Sequence, residues 1–386
     1  MYNFDKIVNR RNTNCVKWDN GTPEDVLPMF IADMDFEVLP EIVEALQKRI
    51  DQRVYGYTML TDDYKKAVCH WMKTRHDWEI QPEWIVPIFG VVPALNTSVH
   101  AFTKEGDAVL ITPPVYGPFS RSVENNGRRL VKSPLVYKEG YYTIDFADFE
   151  AKIVEENVKM FILCSPHNPV GRVWKKEELE KIVEICVKHE VMIISDEIHQ
   201  DFVYKPNKHV PTALVAQNAS KYLVTCTAPS KTFNLAGMQT SNIIIEDEEN
   251  RQKFEGVLGW LGIHGVNMMG ATSCEAAYTH GAAWVDEMTD YLSETMEYAY
   301  NYVKENIPGV SMVKPEGLYL AWFDLSGLGM TNEEVEDFLA TKVKVRPNAG
   351  TFFGEEGSLF TRINFGCPRS YVEEFLKRLE KAVKEL

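Results

Sequence analysis

The sequence predicts an α/β fold in which helices sandwich a mainly parallel sheet and a smaller α+β domain is attached. Two observations carry this. Between about residues 85 and 245, short β-branched apolar runs alternate with helical patterns, and from Gly281 one long amphipathic helix leads into short strands and a terminal helix.

The strand candidates are Ala108 to Thr112, Met160 to Cys164, Val191 to Ser195, Leu223 to Thr227 and Asn242 to Ile245. They are apolar at successive positions rather than alternately, as in strands buried on both faces of a parallel sheet. Helices must therefore cover both sides. Between Lys175 and His189, Leu179, Ile182, Val183, Cys186 and Val187 recur at helical spacing, so strand, helix, strand forms a right-handed crossover.

Beyond Gly281, Trp284, Met288, Tyr291, Leu292, Thr295, Tyr298 and Tyr302 trace one helix face ending near Pro308 and Gly309. The last helix is expected from Ser370, with Ser370 and Glu373 as a capping box and Val372, Phe375, Leu376, Leu379, Val383 and Leu386 as its stripe. It should pack on a small sheet including Tyr319 to Asp324 and Thr361 to Phe365. A length of 386 residues suits two domains, with 41–280 as the large one and 281–386 joining 1–40, an N-terminal arm, as the small one. The series Gly256, Gly259, Gly262 and Gly265 near Trp260 and His264 reads as close helix packing, a flexible loop or the rim of an entrance.

Composition narrows the function. With 41 basic against 56 acidic residues the net charge is -15, and no basic run offsets it, which argues against a nucleic-acid partner. The seven cysteines form no CxxC pair and several lie in apolar runs, the usage of a reducing cytosol. The histidines show no HxxxH or HxxH spacing, so no dedicated metal site is expected. Met1 to Asn12 lacks the apolar region of a secretory signal, and no stretch approaches a membrane span; a cytoplasmic protein without a membrane partner is expected.

Ligands in open α/β sheets collect beyond the carboxyl ends of the strands. Three consecutive strand ends here lead into Ser165-Pro166-His167-Asn168-Pro169-Val170-Gly171, Asp196-Glu197-Ile198-His199 and Ala228-Pro229-Ser230-Lys231. They present an amide, a carboxylate and an amine to one cleft. Pyridoxal phosphate needs an amine to condense with its aldehyde, an acid to keep its ring nitrogen protonated and a donor to its phenolic oxygen. Lys231, Asp196 and Asn168 suit these tasks. Tyr116, after the Ala108 to Thr112 strand, is placed to stack on the ring, and Gly90-Val91-Val92-Pro93 opens a helix whose free N–H groups at Val91 and Val92 suit the phosphate.

In combination these segments, with Ser230-Lys231-Thr232-Phe233-Asn234-Leu235-Ala236-Gly237, resemble the fold type I pyridoxal-phosphate enzymes typified by aspartate aminotransferase. The resemblance covers essentially the whole chain. It implies a large domain with a seven-stranded, mainly parallel sheet and a homodimer whose active sites lie at the subunit interface. Tyr57 is then expected to reach the phosphate in the neighbouring subunit, and Arg362, with Asn168, to bind the substrate α-carboxylate through its planar fork. Two departures stand out: His199 where most relatives carry tyrosine, and Gln239 where they carry a phosphate-binding arginine. Ser230, Thr227 and the helix terminus are expected to compensate for the lost cation.

Both departures resemble the MalY/PatB branch of cystathionine β-lyases and cystalysin-like cysteine desulfhydrases. So do Asp5-Lys6, Arg10-Arg11, Lys17-Trp18-Asp19, Ala32-Asp33-Met34-Asp35-Phe36 and Gly366-Cys367-Pro368-Arg369, which give branch membership with no evident chemical reason. The branch implies α,β-elimination from a sulfur amino acid such as cystathionine or cysteine, giving pyruvate, ammonia and a thiol. Lys231 would act as base, and Tyr116 would assist the leaving sulfur. The alternatives are a class I/II aminotransferase and, from another class, a regulatory protein that binds a transcription activator. The branch also implies a cis bond at Asn168-Pro169.

Overall fold

The computed structural model describes residues 2–386. Its principal elements run α1 Pro40–Ile50, α2 Asp62–His76, β1 Ile85–Ile88, α3 Val91–Phe102, β2 Ala108–Ile111, α4 Pro118–Glu124, β3 Arg129–Lys132, α5 Phe146–Glu155 and β4 Val158–Cys164. There follow α6 Lys176–Lys188, β5 Met192–Asp196, β6 Leu223–Thr227, β7 Ser241–Ile244, α7 Glu248–Trp260, α8 Met268–His280 and α9 Ala282–Asn306. The chain closes with β8 Ser311–Met312, β9 Leu320–Asp324, β10 Asn348–Ala349, β11 Phe360–Asn364 and α10 Arg369–Lys384.

Seven strands form the main sheet in the order β1-β7-β6-β5-β4-β2-β3, parallel except that β7 runs against both its neighbours. The unbroken apolar runs find their reason in β4. Phe161 and Leu163 point into a core shared with Phe149 and Ile153 of α5 and Leu179 and Ile182 of α6. Met160, Ile162 and Cys164 point the other way, among Leu95 and Val99 of α3, Phe119 and Val123 of α4 and Phe254 and Leu258 of α7. Successive side chains alternate between faces, so a strand covered on both sides is apolar throughout.

The second sheet has the antiparallel order β8-β9-β11-β10. It shares a core with α2, α8, α9 and α10, in which Trp284, Met288, Leu292, Phe323, Phe365, Phe375 and Leu379 are buried. Arg362 and Asn364, two apart on β11, lie on one face of this sheet, and that face looks across to the ends of β4, β5 and β6.

Two sequence expectations change. The terminal helix begins at Arg369 rather than Ser370, and the Ser370–Glu373 box does not form. Pro368 takes the cap position, and the Arg369 N–H donates to the Tyr291 hydroxyl at 2.6 Å instead. Close packing does not explain the glycine series: a Cβ at Gly256, Gly259, Gly262 or Gly265 would meet nothing within 4 Å, and Trp260 beside them is 77 % exposed. Among the described residues, no helix is long and apolar enough to cross a membrane.

Candidate active site

The carboxyl ends of β2, β4, β5 and β6 open on the same side of the sheet. β4 leads to Asn168, buried, with the Asn168–Pro169 peptide cis as expected. β5 ends on Asp196 itself, and β6 passes through Ala228 into the short turn Pro229–Thr232 that carries Lys231. Tyr116 lies past the end of β2, edge-on to Phe119 at 6.2 Å and to Phe352 at 6.4 Å.

Asp196 and Lys231 feel each other electrostatically, and no hydrogen bond joins them. The Asp196 carboxylate accepts the Ile198 N–H at 3.1 Å, and the Lys231 amine donates to the Ala32 carbonyl at 2.7 Å. Burial pushes Asp196 up to about 7, against the Ile198 bond and the lysine. Burial, followed by the nearby Arg362 charge, pulls Lys231 down to about 8, while Asp33 and Asp196 work the other way. An acid and an amine both held near neutrality, with no direct contact, are placed to receive other partners.

Arg362 is buried and tied to its surroundings. Its terminal nitrogens donate to Asn168 Oδ1 at 3.1 Å, Asn348 Oδ1 at 2.6 Å and the Phe30 carbonyl at 2.9 Å, while the guanidinium lies over the Phe353 ring. Its Nε is buried without a partner, leaving a donor for a carboxylate oxygen. Burial lowers it to about 10, partly offset by Tyr116 and Tyr319. His199 is also buried with Nδ1 unpartnered, its ring 6.2 Å from that of Tyr319. Burial, then Lys231 and Arg362, hold it well below its ordinary value, so it is neutral.

The phosphate candidates divide. Val91 and Val92 open α3 after Gly90, whose φ of +148° lies in the region that favours glycine. The first turn of α3 carries no acidic residue to repel an anion. Ser230 is partly exposed on the Lys231 turn. Thr227 pairs with Asn242 on β7, and its hydroxyl donates to the Asn242 carbonyl at 2.9 Å. Tyr57 stands clear of the cleft of its own chain. It is fully exposed in the loop 53–60, with Val54, Tyr55 and Met59 also exposed.

Three residues of this site went unremarked as site residues in the sequence. Tyr319 is fully buried and its hydroxyl donates to the same Ala32 carbonyl at 3.1 Å. Asn348 orients Arg362, and Asn364 donates to the Ile31 and Asp33 carbonyls at 2.6 and 2.7 Å. Only the two-residue spacing of Arg362 and Asn364 on a strand could have pointed to one of them.

Residues 24–379 match the sequence pattern of the family described as aminotransferase class I and II. The chain belongs to this family. Among its similar members are cystathionine beta-lyase PatB of Bacillus subtilis, 44% identical over 99% of this chain and 100% of that protein, and the protein MalY of Escherichia coli, 33% identical over 100% and 99%. The crystal structure of cystalysin from Treponema denticola, which contains a pyridoxal 5'-phosphate cofactor, superposes with a TM-score of 0.96 at 39% identity, covering 100% of this chain and 99% of that one. The main and small sheets are thus those of the aspartate aminotransferase-like fold.

Proposed function

We propose that this family member is a pyridoxal-phosphate-dependent carbon–sulfur β-lyase, acting on cystathionine, cysteine or a related S-substituted amino acid. The observation that carries the cofactor assignment is the Asp196–Lys231 arrangement: an acid raised to about 7 and an amine lowered to about 8, both at neighbouring strand ends with no bond between them. A pyridine nitrogen is a fitting partner for the first and an aldehyde for the second. The choice of elimination over transamination rests on the likeness to PatB over nearly the full length of both chains.

When bound, pyridoxal phosphate supplies a carbonyl that captures the substrate amine and a ring that accepts electrons from the α carbon. The protein does the rest. Asp196 holds a proton at the ring nitrogen. Arg362, through the free Nε–H and its fork, orients the α-carboxylate, with Asn168 fixing one of its terminal nitrogens. The Lys231 amine takes the α proton and the carbon–sulfur bond breaks, releasing the thiol; the remaining three-carbon enamine, once free, takes up one water to give pyruvate and ammonia. Tyr116 delivers a proton to the departing sulfur, its own held in place because burial raises its affinity, an effect that Arg362 partly offsets and Asp196 reinforces. Val91, Val92 and Ser230 serve the phosphate.

The reading includes a homodimer. The exposed apolar loop carrying Tyr57 supports it, since Tyr57 has no role in its own cleft. The test of the reaction is direct: loaded enzyme with cystathionine and no oxo acid should yield pyruvate continuously. No pyruvate, with conversion of the cofactor to its amine form, would make the protein an aminotransferase. Sedimentation at micromolar concentration should give twice the chain mass, and a monomer would remove Tyr57 from the site.

A further inference from the structure

Among the N-terminal residues that the reaction leaves unexplained, Arg10, Lys17 and Trp18 converge on one carboxylate. Asp35, 3 % exposed, accepts Lys17 Nζ at 2.6 Å, Arg10 Nη1 at 2.6 Å and the Trp18 indole N–H at 2.9 Å. Lys17 is itself 1 % exposed, and its amine also reaches the Asp33 carbonyl at 3.3 Å. Arg10 further holds the Asp33 carboxylate at 2.7 Å and the Met34 carbonyl at 3.0 Å.

The backbone between these contacts is the wall facing Lys231. Ala32, one residue before Asp33, offers the carbonyl that accepts Lys231 Nζ. Around it, the Asp35 N–H donates to the Gly366 carbonyl, and the Met34 N–H donates to Asn234, three residues beyond the lysine. Asn234 returns bonds to the Met34 and Phe36 carbonyls. A buried ion pair adds little net stability compared with apolar packing, so a cluster of this cost is better explained by the geometry it fixes.

We infer that the ion cluster of Lys17, Asp35 and Arg10 is a positioning device for Lys231, fixing the Ala32 carbonyl as the acceptor for the lysine's free amine. The inference rests on Lys231 being the working amine, and its test does not depend on which reaction follows. The charged groups around that amine are Arg362, Asp33 and Asp196. Deleting a cation at position 17 or 10 and displacing the carbonyl act on the amine with opposite signs. Loss of a neighbouring positive charge makes Lys231 easier to protonate, whereas loss of its acceptor makes it harder.

The experiment is competitive amine labelling of the full-length chain freed of cofactor, with the Lys231 peptide quantified by mass spectrometry across pH 6 to 10. Lys17→Met and Arg10→Gln should lower the labelling pKa of Lys231 by roughly half a unit or more, about a threefold gain in labelling at neutral pH. Trp18→Phe, which changes no charge, should move it the same way by less. Arg369→Gln, which removes contacts to Glu294 and Thr295 on α9, is the control for general loosening and should leave Lys231 unchanged. Should Lys17→Met fail to fold, Arg10→Gln decides alone, since Arg10 is more exposed. An unchanged or raised Lys231 value in the folded variants, or an equal fall in the control, would overturn the inference. Failure of the lyase reading would show separately, as absent pyruvate with Lys231 titration still coupled to the cluster.

Discussion

The chain contains two lysine and aspartate sets, one fully buried and one with a half-buried lysine, and they are built in opposite ways. In the N-terminal cluster Lys17 and Asp35 touch at 2.6 Å. Burial works against both charges, yet the pairing prevails, so Lys17 is raised and Asp35 lowered from their ordinary values. At the strand ends Lys231 and Asp196 have no hydrogen bond to each other, burial wins, and both move toward neutrality. The same two residue types thus make a fixed structural joint when they meet and a pair shifted toward neutrality when the fold keeps them apart. Neighbouring carboxylates repeat the lesson: Glu197, bonded to His209, Thr212 and Ser195, is held low despite burial, while Asp196 beside it is raised.

Substitutions sharpen this contrast. The largest effect is expected for Lys231→Ala, which should lower the rate of pyruvate release by about 10³-fold or more while leaving the melting temperature within a few degrees of the parent. In the joint, Asp35→Asn strands a buried ammonium and should cost about 3 to 5 kcal/mol of stability by denaturant titration. A pairing that worked only at the surface would give under about 1 kcal/mol.

Asp196→Asn has a pH signature. Its folded value, about 7, lies above its ordinary 3.8, so the group's contribution to stability is full below pH 4 and is lost as pH rises through 7. The cofactor-free variant should therefore gain on the parent across that window, by up to about 4 kcal/mol at pH 8. Asp35, being lowered, has the opposite sign: its contribution is present above pH 4 and lost as pH falls below its depressed value. Removing Asp196 should also slow elimination. The smallest effect is Arg362→Lys, expected to raise KM for the amino acid by about 10- to 100-fold with a smaller change in kcat, because a point charge replaces a fork.

Much of this was legible in the sequence, for reasons that the structure makes plain. Both-face burial of β4, β5 and β6 writes itself as unbroken apolar runs, and the residues that follow such runs have a common side to face. That places Asn168, Asp196 and Lys231 without knowing any contact. What sequence could not supply were directions. Thr227 stands at a strand end like the others, but its hydroxyl turns sideways to the Asn242 carbonyl of an antiparallel neighbour. Asn348 lies on a two-residue strand too short to show a pattern. The role of Lys17 and Asp35 depends on a bond spanning 18 positions, with the consequence felt some 200 residues away at Lys231, and local patterns carry no trace of that.

The central claim is that Lys231 is kept half-buried and unpaired with Asp196 in order to bind an aldehyde. Adding pyridoxal phosphate to the cofactor-free chain, reducing with borohydride and mapping the modified peptide tests it most directly. One phosphopyridoxyl group per chain, on Lys231 and absent in Lys231→Ala, is the predicted result. Label spread over exposed lysines, with Lys231 unmodified, would contradict it.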